Sequence, residues 1–175
     1  VKLGQVVSGI KELGFHSVIE AAWGADIVAL AESRELVEKG FLTSSCCPAF
    51  VDYIKKSVPK LVQHISHNVS PMVAIAQKIK EMDPTCKVVF VGPCTAKKTE
   101  FQKDHAKDFV DCVLTFEELQ ALFDARDIDL KTQEHATLYD ASEYGRIFAR
   151  SGGLVEAVKQ AIKEQGVENA DFNPV

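Results

Sequence analysis

The sequence predicts an α/β protein in which a parallel sheet is flanked by helices on both faces. Short strand-like runs alternate along the chain with longer segments of helical periodicity, the order typical of parallel strands connected by helices. The run at 87–91 is almost continuously apolar, as expected for a strand buried on both faces. Because the chain has 175 residues, 46% of them hydrophobic, we expect residues 1–175 to form a single α/β unit with its own core.

The first quarter of the chain predicts two helices, each followed by a strand. Apolar residues at helical spacing indicate a helix over 2–13, and a strand is expected at 16–21. A second periodic segment over 26–39 ends at Gly40, and residues 41–45 complete the pattern as a strand.

Two prolines mark helix boundaries in the next part of the chain. An amphipathic helix is predicted over 50–61, although Pro59 must interrupt it because proline lacks the amide proton that a helix interior needs. The following helix is expected to begin at Pro71, with Ser70 as its N-cap, and to continue to Met82.

The last part of the chain combines one strong capping signal with one weak region. After a strand expected at 109–114, Thr115 and Glu118 form a capping-box pattern that opens another helix. Periodicity fades over 127–145, which we predict to be irregular. A final helix is expected from the glycine pair at 152–153 to about residue 164.

Two expected strand ends each present a cysteine. In the stretch Thr-Ser-Ser-Cys-Cys-Pro-Ala-Phe at 43–50, Pro48 suits the first helical position, so Cys47 falls at the N-cap, where unpaired amides favour a thiolate. Residues 91–98 repeat this design around Cys94. Because ligands bind beyond the carboxyl ends of parallel strands, we expect both loops to face one crevice, with the 152–153 turn beside them if it also leads out of the sheet.

Composition argues against several functional classes. A net charge of −5 without a long basic run makes nucleic acid and anionic membranes improbable partners. No stretch approaches 18 apolar residues and no leader pattern precedes Val1, so neither a membrane span nor a signal peptide is expected. Five cysteines form a poor disulfide framework and indicate a reducing compartment, hence a cytoplasmic location.

The two cysteine stretches resemble a known family. Residues 43–50, together with Gly-Pro-Cys-Thr-Ala-Lys-Lys-Thr-Glu at 92–100, resemble the first two signature motifs of the iron-only (FeFe) hydrogenases, and the resemblance extends from about Leu13 to Gly153. It implies a catalytic domain for the H-cluster, a 4Fe-4S cubane joined to a two-iron centre with carbonyl and cyanide ligands. The implied reaction is the reversible oxidation of dihydrogen to protons and electrons. The implied partners are ferredoxin or another electron carrier and the hydrogenase maturation proteins.

The resemblance implies roles for individual residues around that cofactor. Cys47 and Cys94 would be two of the four cubane ligands, and Cys46 would exchange the proton next to the open iron. Lys97 would lie against a cyanide ligand. The remaining implied contacts are the Ser70 hydroxyl and the backbone at Gly152 and Gly153.

A proton route is implied by the same resemblance. Glu32 and Glu35 are three residues apart on a predicted helix and therefore share a face. In the family these positions, with Ser66 between them, resemble a relay. The expected order is Cys46, Glu32, Ser66, Glu35 and then solvent.

One signature of the family is missing. The third motif, which supplies two more cubane cysteines as Cys-x-x-x-Cys, does not occur in this sequence. We therefore expect a partial H-cluster domain that by itself is inactive and carries no cofactor.

Other interpretations stay open. The chain could come from a hydrogenase-like iron–sulfur protein that serves as a sensor or assembly factor, or be a plain α/β domain with inert thiols. Cys46 could pair with Cys47 or simply pack, and Cys86 and Cys112 are expected to be small buried hydrophobes. Lysines 97 and 98 could form a solvated pair. Histidines 64 and 67 could bind a metal, but more simply they flank a loop without a catalytic role.

Overall fold

The computed structural model describes residues 1–167, which form eight α-helices, one 3₁₀ helix and two β-strands. In chain order these are α1 (Leu3–Glu12), α2 (Ala21–Lys39), α3 (Pro48–Ser57), the 3₁₀ helix (Pro59–His64), α4 (Pro71–Met82), β1 (Val89–Val91), α5 (Lys97–Glu100), β2 (Cys112–Leu114), α6 (Phe116–Ala125), α7 (Glu143–Ile147) and α8 (Gly153–Glu164). Among these helices, none combines the length and the apolar character needed to cross a membrane.

The sheet consists of β1 and β2, which run parallel with Phe90 opposite Val113. Phe90 packs on one face of the sheet against a core that includes Val73 of α4. The next residue, Val91, packs with Phe123 of α6 on the opposite face, because successive side chains of a strand point to opposite sides. Helices therefore cover both faces, and the predicted α/β class is confirmed, with a smaller sheet than the sequence pattern suggested.

Two of the predicted strands are wrong. Residues 16–20 form no ladder, and Ala21 already belongs to α2. The segment is held instead through Glu20, whose carboxylate pairs with Arg146 at 2.8 Å and whose backbone N–H donates to Asp140 at 3.0 Å. Of the predicted strand at 41–45, one parallel bridge forms, between Thr43 and Ile65.

The start of α2 lies five residues before the predicted start at Asp26. The Asp26 carboxylate does not cap its own helix but accepts the backbone N–H of Ser142 at 2.8 Å. Ser142 in turn caps α7, accepting the N–H of Gly145 at 3.1 Å. A long-range contact thus helps to start a short helix whose first three residues lie in the segment predicted to be irregular.

Predictions based on local chemistry are confirmed. Helix α3 ends before Pro59, which begins the 3₁₀ helix. Cys47 and Ser70 occupy the N-cap positions of α3 and α4, although neither side chain makes a capping hydrogen bond. Thr115 and Glu118 form the capping box at the start of α6.

The largest core cluster joins α2, α4 and α8. Its buried members are Ala25, Val28, Ala29, Ala74, Phe148, Ala157, Val158 and Ile162. Helices α2 and α4 approach so closely at Gly24 that any side chain there would collide with the carbonyl oxygen of Pro71. The close approach therefore requires glycine. Cys46 packs against this cluster, so the core of the helical layer fixes the loop that carries the cysteine pair.

Candidate functional site

Lys97 connects the two cysteine loops. Its backbone N–H donates to the carbonyl oxygen of Cys94 at 3.2 Å, and its side-chain Nζ donates to the carbonyl oxygen of Cys46 at 3.2 Å. Cys47, at the N-cap of α3, and Cys94, in the loop after β1, are exposed free cysteines. The Lys97 side chain therefore holds the two cysteine loops close to each other.

The Lys97 ammonium is largely buried and paired. Nζ lies 2.6 Å from Oε2 of Glu100, and the two side chains are 11% and 4% exposed. The other oxygen of Glu100 faces His105 at 3.8 Å. An ammonium group has three N–H bonds, and the contacts with Glu100 and Cys46 use two of them. The position is not the solvated one considered from the sequence, and a third N–H is available for an acceptor.

Ser70 is the second unusual polar group of this region. It is 1% exposed, and its hydroxyl has no hydrogen-bond partner although it occupies the N-cap of α4. Leaving a buried hydroxyl without a partner is unfavourable by about 1–3 kcal/mol. Such an atom is therefore suited to a bound polar group that would complete its hydrogen bonding.

The glycine pair is required for local reasons. Gly152 has a φ of 77°, a left-handed conformation that glycine adopts without strain. A side chain at Gly153 would collide with the carbonyl oxygen of Ile147. The turn follows α7 and not a strand, so the condition under which it would lie beside the cysteine loops at the sheet edge is not met. Nevertheless, Leu154 packs against the same core cluster as Cys46.

Glu32 is a buried carboxyl group without a cationic partner among the described residues. It is 2% exposed and accepts hydrogen bonds from the Ser44 hydroxyl at 2.7 Å and the Ser45 N–H at 3.4 Å. Burial, assisted by the nearby charge of Glu35, raises the pKa of Glu32 above its usual range, and the hydrogen bonds only partly oppose this shift. Glu32 is thus suited to carry a proton.

Glu35 lies one turn further along α2 and is far better satisfied. Burial alone would raise its pKa, but hydrogen bonds from Lys39 at 2.6 Å and Ser66 at 2.7 Å outweigh that effect and lower the pKa of Glu35. The amide of Asn68 adds a bond of 2.8 Å. The Glu35 side chain is 12% exposed, so it lies between the interior and the surface.

Two serine hydroxyls connect these groups. Ser66 is 5% exposed and donates to Glu35. Its effect on Glu32 is the smallest of those that act on the pKa of that carboxyl group. Ser44 donates to Glu32 and accepts the backbone N–H of Cys46 at 3.2 Å. Sequence reasoning named Ser66 but missed Ser44, although its place two residues before the cysteine was a usable signal.

Burial also affects the thiol at the inner end of this series. Desolvation, together with the charges of Glu32 and Cys47, raises the pKa of Cys46, while the Ser44 hydroxyl and the Lys97 ammonium act in the opposite direction. Cys46 therefore favours its protonated form. Hydrogen bonds link the backbone of Cys46 to Ser44 and Ser44 to Glu32, and a separate bond links Ser66 to Glu35.

The other cysteines and histidines form no obvious metal site. Within residues 1–167, no group of three or more histidine, cysteine, aspartate or glutamate side chains is arranged to hold a metal ion. Cys86 and Cys112 are half-buried rather than fully buried. His64 ends the 3₁₀ helix, with its ring 5.0 Å from that of Phe41 in an edge arrangement, and His67 lies in the following loop.

Comparison with protein families gives a match over the whole chain. The family model for the iron only hydrogenase large subunit, C-terminal domain, matches residues 1–175. The chain is 29% identical to iron hydrogenase 1 of Clostridium pasteurianum over 98% of its own length and 34% of that protein. It is 35% identical to the cytosolic Fe-S cluster assembly factor NAR1 of Kluyveromyces lactis over 67% of its length and 24% of that protein.

Solved structures give the same result at the level of the fold. A variant of [FeFe]-hydrogenase HydA1 from Chlamydomonas reinhardtii superposes with a TM-score of 0.75 and 25% identity, over 93% of this chain and 47% of the other. The HydA(deltaEFG) structure that describes stepwise H-cluster assembly superposes with a TM-score of 0.73 and 27% identity, over 93% of this chain and 46% of the other. This chain spans about a third of the length of iron hydrogenase 1 and just under half of these solved chains.

Proposed function

Because the chain belongs to the family defined by the C-terminal domain of the large iron-only hydrogenase polypeptide, we propose that the protein containing it catalyses the reversible oxidation of dihydrogen to two protons and two electrons. The observation that carries the proposal is the buried carboxyl group of Glu32, which lies between Cys46 and Glu35 and has a raised pKa. A non-catalytic scaffold has no need of a protonatable group at this place.

Proton transfer through the site would proceed between neighbouring hydrogen-bonding groups. The Cys46 thiol, kept protonated by burial, would give its proton to the Ser44 oxygen as the Ser44 hydroxyl gives its own proton to Glu32, to which it donates at 2.7 Å. A hydroxyl donates to one acceptor at a time and rotates freely. Ser66, which donates to Glu35 at 2.7 Å, would take a proton from Glu32 on its oxygen as it gives its own proton to Glu35.

The cofactor of this proposal is the H-cluster, whose chemistry when bound is the cleavage and formation of the H–H bond at iron. Cys47 and Cys94 would supply two of its four cubane thiolates. Two polar groups of this chain fit a bound anionic centre: the unpartnered hydroxyl of Ser70 and the available N–H of Lys97. Gly152 and Gly153 would line the same region. Residues 1–175 alone would be inactive and without cofactor, because they provide two ligands.

The partners of the complete protein follow from the reaction. It would exchange protons with solvent and electrons with ferredoxin or another carrier, and it would depend on hydrogenase maturation proteins for its two-iron centre. We place it in the cytoplasm, a reducing compartment compatible with five free cysteines. The negative net charge of this domain gives no reason to add nucleic acid or membranes as partners.

Replacement of individual cysteines in the complete, matured protein tests the proposal. Cys47→Ala should abolish cluster binding, measured as iron content and by electron paramagnetic resonance. Cys46→Ala should retain the cluster and lose hydrogen turnover, because it removes the proton-exchanging thiol and no ligand. Cys112→Ala is the matched control and should change neither. Full turnover in the Cys46 or Cys47 variant would contradict the assignment.

A second function, iron–sulfur sensing or assembly without hydrogen turnover, is supported by the 35% identity to the assembly factor NAR1. Assays of the complete, matured protein distinguish this function from hydrogen oxidation. Under this alternative, the matured complete protein would bind iron but would neither consume nor evolve hydrogen. Absence of iron after anaerobic reconstitution would favour an α/β domain with inert thiols.

A further inference from the structure

His67 lies where the proposed proton route meets solvent. Its side chain is 82% exposed, and Nδ1 is 3.5 Å from Oε1 of Glu35 and 3.4 Å from Nζ of Lys39. The backbone N–H of His67 is 3.2 Å from each oxygen of the same carboxylate. The imidazole therefore touches both bulk water and the outermost carboxyl group of the series.

We propose that His67 is the group that exchanges protons between solvent and Glu35. This inference rests on the proposed function, since it requires a proton route through Glu35. Imidazole is the side chain whose ordinary titration range lies nearest neutral pH, so it both accepts and releases protons there. The Lys39 ammonium binds the same carboxylate, but an ammonium group only donates, whereas a neutral imidazole has one accepting and one donating nitrogen.

The transfer step involves one bond broken and one bond formed. The exposed ring takes a proton from hydronium or a buffer acid and becomes an imidazolium with hydrogen on both nitrogens. Its Nδ1–H bond then breaks as an O–H bond forms at Oε1 of Glu35, which leaves a neutral ring and a neutral carboxyl group. The reverse sequence releases a proton. No oxidant or reductant is consumed.

The charges around the ring suit a group that holds a proton briefly. Glu35 attracts the imidazolium and Lys39 repels it, and both lie on α2. The neighbouring groups in its own loop, the Ser66 hydroxyl and the Asn68 amide, are uncharged and already bound to Glu35. When the ring is neutral, Lys39 donates to its Nδ1, which keeps that nitrogen directed towards the carboxylate.

This role separates two histidines that the sequence suggested treating alike. His64 packs edge-on against the ring of Phe41, and the spacing of His64 and His67 raised the alternatives of a metal pair or an inert loop. Only His67 reaches a carboxylate of the route within the described residues. The prediction that it has no catalytic role is replaced by this proposal.

Turnover of the complete, matured protein in weakly buffered solution is the first test. His67→Ala should slow hydrogen evolution by about 100-fold, the lower range for removing an acid–base group, and added imidazole should restore most of the rate because a free base replaces the missing ring. The control is His16→Ala, another exposed histidine, which contacts Ser17 and should have no effect. A loss that imidazole does not restore would indicate a structural role and overturn the proposal.

Nuclear magnetic resonance of the ring nitrogens gives a readout independent of turnover. In the complete protein with labelled histidine, Lys39→Met should change the Nδ1 signal of neutral His67, and Glu35→Gln should change that of the protonated ring. The His16 signals should stay unchanged. Insensitivity of His67 to both substitutions would overturn the proposed contacts.

Comparison with Glu35→Gln separates failure of this inference from failure of the proposed function. If Glu35→Gln abolishes turnover while His67→Ala behaves as wild type, the route stands and solvent enters it elsewhere, so the inference is wrong. If neither substitution affects turnover, the route through Glu35 itself is wrong, and the inference falls with it.

Discussion

Two acidic side chains of this domain have opposite surroundings. Glu32 is 2% exposed and, within residues 1–167, accepts hydrogen bonds from one hydroxyl and one backbone amide, so burial raises its pKa. Asp111, beside the first residue of β2, accepts from Lys87 at 2.9 Å, Lys80 at 3.2 Å and the N–H of Val88 at 2.9 Å. Burial opposes ionisation of Asp111 as well, but these bonds lower its pKa to about 2.

The comparison shows how the surroundings of a carboxyl group set its charge. Asp111 stays charged at any physiological pH, and its cations hold the start of the sheet to the end of α4. Glu32 has no cationic partner in the described part of the chain, so its neutral and charged forms are closer in free energy, as a proton carrier requires. Glu35, bonded to Lys39 and three neutral donors, is intermediate.

The largest difference between the two acidic groups should appear in turnover. Glu32→Gln keeps the size of the side chain and an acceptor for Ser44 but removes the ionisable oxygen. We expect a loss of at least about 100-fold in hydrogen turnover by the complete, matured protein, the lower range for removing an acid–base group. The loss is measured as hydrogen evolution from a chemical reductant, together with iron content.

The control is Glu38→Gln, an exposed glutamate on the same helix, which should keep wild-type turnover and iron content. A Glu32→Gln enzyme with its iron intact and full activity would show that protons bypass α2. The comparison with Asp111 would then concern stability alone.

For Asp111 the effect should appear in folding and not in turnover. Asp111→Asn should lower the free energy of unfolding at pH 6 by about 1–2 kcal/mol, a value reduced for solvent screening because the side chain is 28% exposed. The stabilisation is complete above pH 3.8 and is lost as the pH falls towards 2. Urea denaturation of wild type and Asp111→Asn at pH 6 and near pH 2 measures this stabilisation.

Asp104→Asn is the matched control for Asp111. Asp104 is 97% exposed and pairs only with Lys107 among the described residues, so its replacement should change stability little at either pH. Equal losses for the two substitutions would mean that the lysine and amide bonds of Asp111 do not stabilise the folded state.

The pH dependence of stability should have the opposite sign at Glu32. Its pKa is raised above 4.5 in the folded state, so the native protein binds the proton more tightly than the unfolded chain. Stability should therefore fall as the pH rises above 4.5, and Glu32→Gln should remove this fall. The pKa of Glu35 is lowered from 4.5, so its contribution to stability changes with pH only below that value. A stability difference between wild type and variant that does not change from pH 4.5 to 8 would contradict the raised pKa.

Local chemistry made part of this fold readable from sequence. The interruption at Pro59, the N-cap positions of Cys47 and Ser70, and the capping box at Thr115 depend on residues only a few positions apart, and all are confirmed. The strand expected at 16–21 failed because an apolar run becomes a strand only beside another strand. Here a distant arginine, Arg146, holds the segment instead.

In the site, too, local features were predictable from the sequence and features set by distant contacts were not. The spacing of Glu32 and Glu35 placed both carboxyl groups on one helix face, but which of them has a cation depends on Lys39 and on the loop around Ser66. The pairing of Lys97 with Glu100 could have been anticipated from their i,i+3 spacing, whereas the burial of the pair could not. The unpartnered hydroxyl of Ser70 could not, because capping chemistry predicts a bond that the folded chain does not make.

Ser44 gives the finest test of what distinguishes Glu32 from Asp111. Ser44→Ala removes the principal hydrogen bond to a carboxyl group that has no cation, so the pKa of Glu32 should rise further, seen as a carboxylic C=O infrared band that persists to higher pH. Ser45→Ala, whose hydroxyl instead binds the carbonyl of Asn68, is the control. Each substitution should lower stability by about 1 kcal/mol, but only Ser44→Ala should move the Glu32 band. If both variants leave that band unchanged, burial alone sets the protonation of Glu32, and a serine beside the cysteine pair contributes packing and no path for protons.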